Sequence, residues 1–135
     1  KGSNFGSVDE DTIALEIISE ETNKRFFYIP ACAHVPDWLK DKLDNTDLLF
    51  FDGTLWTDDE MVKQKVGIKT GKRMGHISMS GKEGSLEVLK NINIKRKIFI
   101  HINTTNPALI DNSPERELLT NHGWEVSFDT MEIEI

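Results

Sequence analysis

Apolar residues predict four strands ahead of the C-terminal region. Residues 12–19 (TIALEIIS) and 25–31 (RFFYIPA) are rich in β-forming side chains and flank the polar stretch EETNK, which predicts a hairpin. Residues 47–52 (DLLFFD) are almost continuously apolar up to Asp52, which is typical of a central strand covered on both faces. Residues 97–102 (KIFIHI) predict the next strand.

Four other segments carry signals for helices. The clearest is SPERELLTNHG, where Ser113 can cap the helix, Pro114 occupies its first position and Gly123 can end it. The remaining three have a start signal or helical spacing of apolar residues. They lie at residues 36–43 (PDWLKDKL), 57–65 (TDDEMVKQK) and 85–92 (SLEVLKNI).

The rest of the chain divides into a loop and two short strands. Residues 66–84 contain five glycines and no sustained periodicity, which predicts a long loop. Residues 124–128 and 131–135 alternate apolar and polar side chains, as half-exposed strands do. The predicted order, ββ-α-β-α-loop-α-β-α-β-β, indicates an α/β domain of residues 1–135 with helices packed on a mixed sheet.

Charge and composition exclude several classes of partner. The 16 basic and 23 acidic residues give a net charge of -7, which attracts nucleic acid poorly. No apolar run approaches the roughly 20 residues that span a bilayer, so we expect no membrane partner. Cys32 is the single cysteine, so there is no disulfide framework, and a reducing cytoplasm is the expected compartment.

Two of the predicted strands end on residues that bind metals or move protons. Asp52 follows four apolar residues, and His101 closes another apolar run. Helices separate these strands, so we expect them to be parallel and to share the edge where α/β sheets bind ligands. His76, on the glycine-rich loop, could supply another nitrogen.

Two histidines and one carboxylate are the ligand set of open non-haem iron sites. The same set also binds zinc and activates water. A plainer interpretation stays open, in which Asp52 caps a turn with Gly53 and His101 is a hydrogen-bonded core histidine. Two further histidines have plainer explanations as well. His122 suits the end of a helix, and a pairing of His34 with Cys32 is usually incidental.

Five sequence blocks, taken together and in order, resemble one family. They are FFDGTLWTDDEM, GKRMGHISMSG, IHINTTNP, DNSPERELL and GWEVSFDTMEIEI. The chain resembles the C-terminal half of the coenzyme PQQ (pyrroloquinoline quinone) synthesis protein B family, and the resemblance extends over nearly all 135 residues. The resemblance implies a metallo-β-lactamase-like αββα sandwich, in which two halves hold a metal site between their sheet edges.

The resemblance also implies roles for individual residues. His101 matches the late metal-ligating histidine, Asp52 the acid that closes the fourth strand motif, and His76 a Gly-His loop position beside the pocket. These three are therefore the expected catalytic and metal-binding residues. Asn103 and Asn106 match the polar loop after the ligand strand, where we expect them to orient His101 or contact substrate.

The chain departs from the family pattern in two respects. The glycine-rich turn after the second strand is replaced by ACAHVPDW, so His34 inherits no role. The N-terminal half, with its histidine/aspartate motif and cysteine-rich zinc site, has no counterpart here. We therefore expect a fragment of a chain about twice as long. Its uncovered apolar sheet face would be covered by the missing half or by a second copy in a homodimer.

The activity implied by the resemblance is a step of PQQ biosynthesis. It is an Fe(II)-dependent hydroxylation of the tyrosine-derived moiety of a glutamate–tyrosine cross-linked precursor. One alternative is a carrier of PQQ or its precursor towards the periplasm, which needs a pocket but no redox metal. The other is a hydrolase with Zn(II)-activated water, because most relatives with this fold use zinc.

Overall fold

A five-stranded mixed sheet organises the structure, a computed structural model that describes residues 12–135. The first two strands are antiparallel, and each later neighbour is parallel to the one before it. The α/β mixed sheet predicted from the sequence is therefore confirmed. In spatial order the strands are β1 (Leu15–Ile18), β2 (Arg25–Ile29), β3 (Thr46–Asp52), β4 (Ile94–Ile100) and β5 (Trp124–Val126).

The helices are short and connect successive strands. Over residues 12–135, no helix has the length and apolar character needed to cross a membrane. The helices are α1 (Asp37–Leu43), α2 (Glu60–Lys63), α3 (Gly71–Met74), α4 (Ser85–Val88) and α5 (Pro114–Asn121), with a 3₁₀ turn at Pro107–Leu109.

Local signals predicted two parts of the fold correctly. The expected N-terminal hairpin is present, with Leu15 paired to Tyr28 across β1 and β2. Helix α5 begins as predicted, because the Arg116 N–H donates to the Ser113 Oγ over 3.0 Å. It ends before Gly123, whose φ of 75° suits a residue without a Cβ.

Four predicted segments differ from the structure. Residues 131–135 form no strand, because alternation of side chains does not itself supply a neighbour for the backbone hydrogen bonds. The predicted helices at 57–65 and 85–92 contract to the single turns α2 and α4. The predicted loop at 66–84 contains the extra turn α3, which Thr70 caps through the Arg73 N–H.

One face of the sheet carries the core. Phe99 and Trp124 stack there with ring centroids 4.0 Å apart, and Phe51 lies against Trp124 at 6.2 Å. Buried leucines of the helices complete this core, so the helices cover one side of the sheet. They are Leu39 and Leu43 of α1, Leu86 of α4 and Leu119 of α5.

The other side of the sheet exposes an apolar surface, which we call the aromatic face: Leu15, Phe26, Tyr28 and Phe50. Successive strand residues point to opposite sides, so these four point away from the core. Phe26 and Phe50 lie edge to face at 6.0 Å. Leu15 is 47% exposed and Tyr28 41%, so this apolar surface reaches solvent.

Candidate metal centre

The centre lies at the C-terminal edge of the parallel strands β3 and β4. Asp52 is the last residue of β3, level with Ile100 of β4, and His101 follows directly. The Gly53 N–H donates to the Ile100 carbonyl over 2.8 Å and holds the two strand ends together. The predicted placement of Asp52 and His101 at one edge of neighbouring strands is therefore confirmed.

Asp52 is fully buried and bonded at both carboxyl oxygens. Its Oδ2 accepts from the Cys32 backbone N–H at 2.9 Å and lies 2.8 Å from the His76 Nδ1. Its Oδ1 accepts from the backbone N–H of Thr54 at 3.0 Å and from the Thr54 hydroxyl at 2.7 Å. A buried carboxylate is tolerated only when its lone pairs are used, and here four contacts also fix its orientation.

Helix α3 brings His76 to this carboxylate. The helix ends at Gly75 in a left-handed conformation (φ 85°), which turns the chain, and the His76 N–H bonds to the Gly71 carbonyl at 3.0 Å. The next amide, of Ile77, donates to the Cys32 carbonyl over 2.6 Å. His76 therefore follows the short capped helix α3, within a segment that the sequence predicted to be a long loop.

His101 has an unusual backbone for a histidine. Its φ is 56°, in the left-handed region, so the extended conformation of β4 stops at Ile100. The side chain is exposed, and its Nδ1 lies 2.8 Å from the Thr54 Oγ1. The rings of His76 and His101 are nearly parallel, with centroids 5.2 Å apart.

The donor set fits a transition-metal ion. One ligand atom from each of Asp52, His76 and His101 lies within 4.8 Å of the others. Two imidazole nitrogens and one carboxylate oxygen suit both zinc and Fe(II), and three protein ligands leave positions free for substrate or water. The Asp52 Oδ1 also accepts from the Thr54 N–H, as the turn interpretation expects, so metal binding by these three residues stays a prediction.

Thr54 is the residue that sequence reasoning missed. Its Oγ1 lies within hydrogen-bonding distance of Asp52, His76 (3.1 Å) and His101. The available signal was its position two residues after Asp52, where a strand-end aspartate commonly accepts from the following turn. That signal locates a turn but does not reveal the two histidines, which arrive from distant segments.

The two asparagines that the resemblance suggested for substrate contact bond within the protein. Asn106 is 2% exposed; its Nδ2 donates to the Gly53 carbonyl, and its Oδ1 caps the 3₁₀ turn at the Ala108 N–H, both at 2.9 Å. The Asn103 Nδ2 donates to the Thr105 Oγ1 at 2.7 Å. Their contact with substrate or His101 stays a prediction.

A buried glutamate joins the loops that follow β3 and β4. The Glu60 Oε2 accepts from the Trp56 N–H at 2.7 Å, and its Oε1 accepts from the Thr105 hydroxyl at 2.5 Å. The Asn103 N–H also donates to the Thr54 carbonyl over 3.1 Å. These contacts hold the segment with Thr54 against the segment with His101.

Cys32 and His34 contact each other in the loop that follows β2. Burial, and then the charge of Asp52, raise the pKa of the Cys32 thiol to about 11, so it stays protonated near neutral pH. The thiol donates to the His34 carbonyl over 3.1 Å. His122 lies at the end of α5, where its Nδ1 bonds to the Leu118 carbonyl at 2.8 Å, as its sequence position suggested.

An open cleft of about 860 Å³ is lined by other residues than Asp52, His76 and His101. Its walls come from residues 33–35, 77–78 and 80–84 together with Thr57, Asp58, Lys72 and Val88, so two of these segments follow Cys32 and His76 in the sequence. The lining includes apolar Val35 and Ile77 as well as polar Ser78 and Ser80. This mixed lining suits an organic molecule that carries polar groups.

Comparison with known proteins gives a consistent family. The model of the beta-lactamase superfamily domain matches residues 2–102. Coenzyme PQQ synthesis protein B of Bradyrhizobium diazoefficiens is 50% identical over 125 residues, which cover 93% of this chain and 40% of that protein. Its counterpart in Xanthomonas euvesicatoria is 47% identical over 132 residues, covering 98% of this chain and 44% of that one.

A solved crystal structure, of Zn(2+)-bound PqqB from Methylobacterium extorquens, also matches. It superposes with a TM-score of 0.83 at 46% identity and covers 84% of this chain and 41% of its own. The chain thus spans about two-fifths of the length of the proteins it matches. By its sequence, its mixed sheet and this superposition, the chain has a metallo-β-lactamase-like fold, belongs to the beta-lactamase superfamily and is similar to coenzyme PQQ synthesis protein B.

Proposed function

We propose that this chain is part of a PQQ biosynthesis protein that hydroxylates an aromatic ring. The observation that carries the proposal is the convergence of Asp52, His76 and His101 at one edge of the sheet. The names of the similar proteins support the pathway. The type of reaction rests on the ligand set, because two histidines and one carboxylate are typical of Fe(II) oxygenases.

The chain's own residues would hold and orient the metal. His76 and His101 would supply nitrogen ligands and Asp52 a carboxylate oxygen, with the Asp52 charge offsetting that of the cation. Bound Fe(II) would supply the activation of dioxygen. The buried position of Asp52 and its bonds to Cys32 and Thr54 would keep the ligands in place during turnover.

The proposed substrate is the tyrosine-derived part of a glutamate–tyrosine cross-linked precursor. One atom of dioxygen replaces an aromatic hydrogen as a hydroxyl group. The other oxygen atom is reduced to water, with two protons and two electrons that an external reductant supplies. The cleft of about 860 Å³, with Val35 and Ile77 in its lining, supports the binding of an aromatic ring.

We further propose that the centre is completed by a part of the protein outside these 135 residues. The aromatic face supports this, because an exposed apolar sheet surface is rarely left uncovered. The coverage of about two-fifths of the relatives' length supports it too. We propose that the N-terminal half of the protein covers the aromatic face; the alternative is a second copy of the chain. The proposed compartment is the cytoplasm.

The test uses the full-length protein, purified without oxygen and loaded with Fe(II) or Zn(II). With the cross-linked precursor, dioxygen and ascorbate, we expect the Fe(II) form to add one oxygen atom to the product by mass spectrometry. His101→Ala should abolish this product, whereas His122→Ala, at the end of α5, should leave it unchanged. Product formation by the His101→Ala variant at the wild-type rate contradicts the proposal.

Two other functions each have one supporting observation. The cleft of about 860 Å³ favours a carrier of PQQ or its precursor, and such a carrier should bind its cargo equally well after metal removal. The Zn(2+) in the solved relative favours a hydrolase. A hydrolase should be most active with Zn(II) and should consume no oxygen, so the same experiment separates the three.

A further inference from the structure

Glu60 is buried, at 4% exposure, whereas the rest of helix α2 is partly or fully exposed. A glutamate is rarely buried this deeply unless its oxygens have partners. Both oxygens have partners here, but one bonds within its own segment and the other bonds to a residue 45 positions away. The two contacts therefore have to be explained separately.

The Oε2 atom of Glu60 caps the turn that leads into α2. It accepts from the Trp56 N–H at 2.7 Å and lies 3.4 Å from the backbone nitrogen of Thr57. A glutamate three residues after a threonine commonly bonds back to the N–H of that threonine. Formation of the helix accounts for these bonds, but it does not account for the second oxygen.

The second oxygen attaches α2 to residues 101–106 after β4, which we call the His101 segment. The Thr105 hydroxyl donates to the Glu60 Oε1 over 2.5 Å. The Gln64 Nε2 donates to the Thr105 carbonyl over 2.8 Å. Glu60 and Gln64 are four residues apart and share one side of the helix, so this side bonds Thr105 at both its side chain and its backbone.

The His101 segment needs such attachments because packing does not fix its histidine. The His101 side chain is exposed, and its φ of 56° takes it out of the extended conformation of β4. Two bonds join the segment to the residues after β3: the Asn103 N–H donates to the Thr54 carbonyl over 3.1 Å, and the Asn106 Nδ2 to the Gly53 carbonyl over 2.9 Å. The bonds from α2 attach the segment to a second element.

We propose that Glu60 is a positioning residue that holds His101 in its ligating position by fixing the His101 segment to α2. Among residues 12–135, the group of ligand atoms within 4.8 Å of one another comes from Asp52, His76 and His101, so Glu60 acts through the segment and not as a ligand. Ligands that are already in place bind an ion more tightly, because ordering them opposes binding. The attachment itself stands without the proposed function, and its effect on metal affinity rests on it.

The test removes the contact from either end in the full-length protein. Thr105→Val loses the hydroxyl and keeps the shape, Glu60→Met loses the carboxylate, and Thr105→Ser keeps the hydroxyl. The matched control is Thr120→Val, which loses a hydroxyl that bonds to the Arg116 carbonyl on α5. Hydrogen–deuterium exchange of the metal-free samples is followed by mass spectrometry, and circular dichroism checks that each variant is folded.

In Thr105→Val and Glu60→Met, the peptide of residues 101–107 should lose most of its protection from exchange. The peptide of strand β2 should exchange as in the wild type, because the change is local. Thr105→Ser and Thr120→Val should keep wild-type protection at 101–107. Unchanged exchange of this peptide in folded Thr105→Val overturns the inference. An equal increase in both peptides also overturns it, since that result indicates a role in overall stability alone.

Zinc titration of the same samples tests the effect on the metal, with His101→Ala identifying any zinc that binds elsewhere. Thr105→Val and Glu60→Met should bind Zn(II) at this centre about tenfold more weakly, as expected if the His101 segment is correctly placed about a tenth of the time. Thr105→Ser should bind it within about threefold of the wild type. Lost protection with unchanged zinc affinity overturns the role of Glu60 towards the ion. A wild type that binds neither zinc nor iron through His101 refutes the proposed function instead, and the exchange data then decide the attachment alone.

Discussion

At the scale of single residues, Asp52 combines complete burial with a full set of hydrogen bonds. Asp52→Asn replaces one accepting oxygen by an NH₂ group, which must then face the N–H of Cys32 or of Thr54. We expect the free energy of unfolding to fall by about 2–3 kcal/mol, as when a buried polar group loses its partner. Urea denaturation of the full-length protein measures this.

The matched control is Asp111→Asn, at a side chain that is 86% exposed and pairs with Arg116. Asp111→Asn should lower the free energy of unfolding by less than about 1 kcal/mol, because exposed ion pairs contribute little to stability. Equal losses in the two variants would mean that the buried network around Asp52 contributes no more than a surface pair.

His101 offers a prediction that depends on its backbone. At a φ of 56°, a residue with a Cβ is strained by about 1 kcal/mol, whereas glycine is not. His101→Gly should therefore be more stable than His101→Ala by about that amount, while both lose metal binding. Thermal unfolding and zinc titration measure the two effects.

The opposite order is expected at His122, which has a φ of -85°. There His122→Ala should be more stable than His122→Gly, because glycine loses more conformational entropy on folding. The same order at both positions would show that the left-handed backbone of His101 is not a source of strain.

At the scale of elements, an ion pair connects β4 to the edge strand β5. The Arg96 guanidinium donates to both oxygens of Glu125, at 2.7 and 2.9 Å. The hydrogen bond from Arg96, followed by its charge, lowers the pKa of Glu125 against the opposing effect of burial. A lowered pKa means that this stabilisation is present above the unfolded pKa of about 4.3 and is lost as the pH falls through the folded value.

We therefore expect Glu125→Gln to cost about 0.5 kcal/mol of unfolding free energy at pH 7, a small value because both side chains are more than a third exposed. The cost should shrink steadily as the pH is lowered below about 4 and at 1 M salt, which screens the pair. Urea denaturation at several pH values measures it. A cost that does not depend on pH or salt would indicate lost packing instead.

Elements with local signals were the ones that the sequence predicted best. Helix α5 has its cap at Ser113 and its end at Gly123 within one continuous segment. The strand β3 is recognisable because it is apolar on both faces. Residues 131–135 carry an equally clear alternation and form no strand, because pairing needs a neighbour that the pattern cannot specify.

At the scale of the whole molecule, the aromatic face should govern the behaviour of the isolated 135-residue chain. We expect this chain to bind a hydrophobic dye, to self-associate and to bind zinc or iron weakly. The reason is that part of the proposed ligand shell and the cover of the sheet are both outside it. Dye fluorescence, mass measurement and metal titration test the three statements; tight stoichiometric metal binding by a dye-free monomer contradicts them.

Two double variants test whether the aromatic face causes the dye binding and the self-association. Leu15→Glu with Tyr28→Lys places opposite charges on a directly paired position of the aromatic face and should reduce dye binding and association. Val66→Glu with Ile68→Lys alters residues that are 60% and 88% exposed but lie outside that face, and should change neither. A larger decrease in dye binding and association for the second pair would mean that the responsible surface lies outside the aromatic face.

The sequence by itself determined the fold class, the capped helix α5, the hairpin and the residue types at the strand ends. These follow from short-range periodicity and from backbone preferences that each segment carries alone. The tertiary structure decided which polar groups meet. Thr54 bonds to His76 across 22 positions and to His101 across 47, and no local pattern encodes such distances. Those contacts exist because parallel strands bring their C-terminal ends to one edge, where the buried oxygens of Asp52 meet hydrogen-bond partners from other segments.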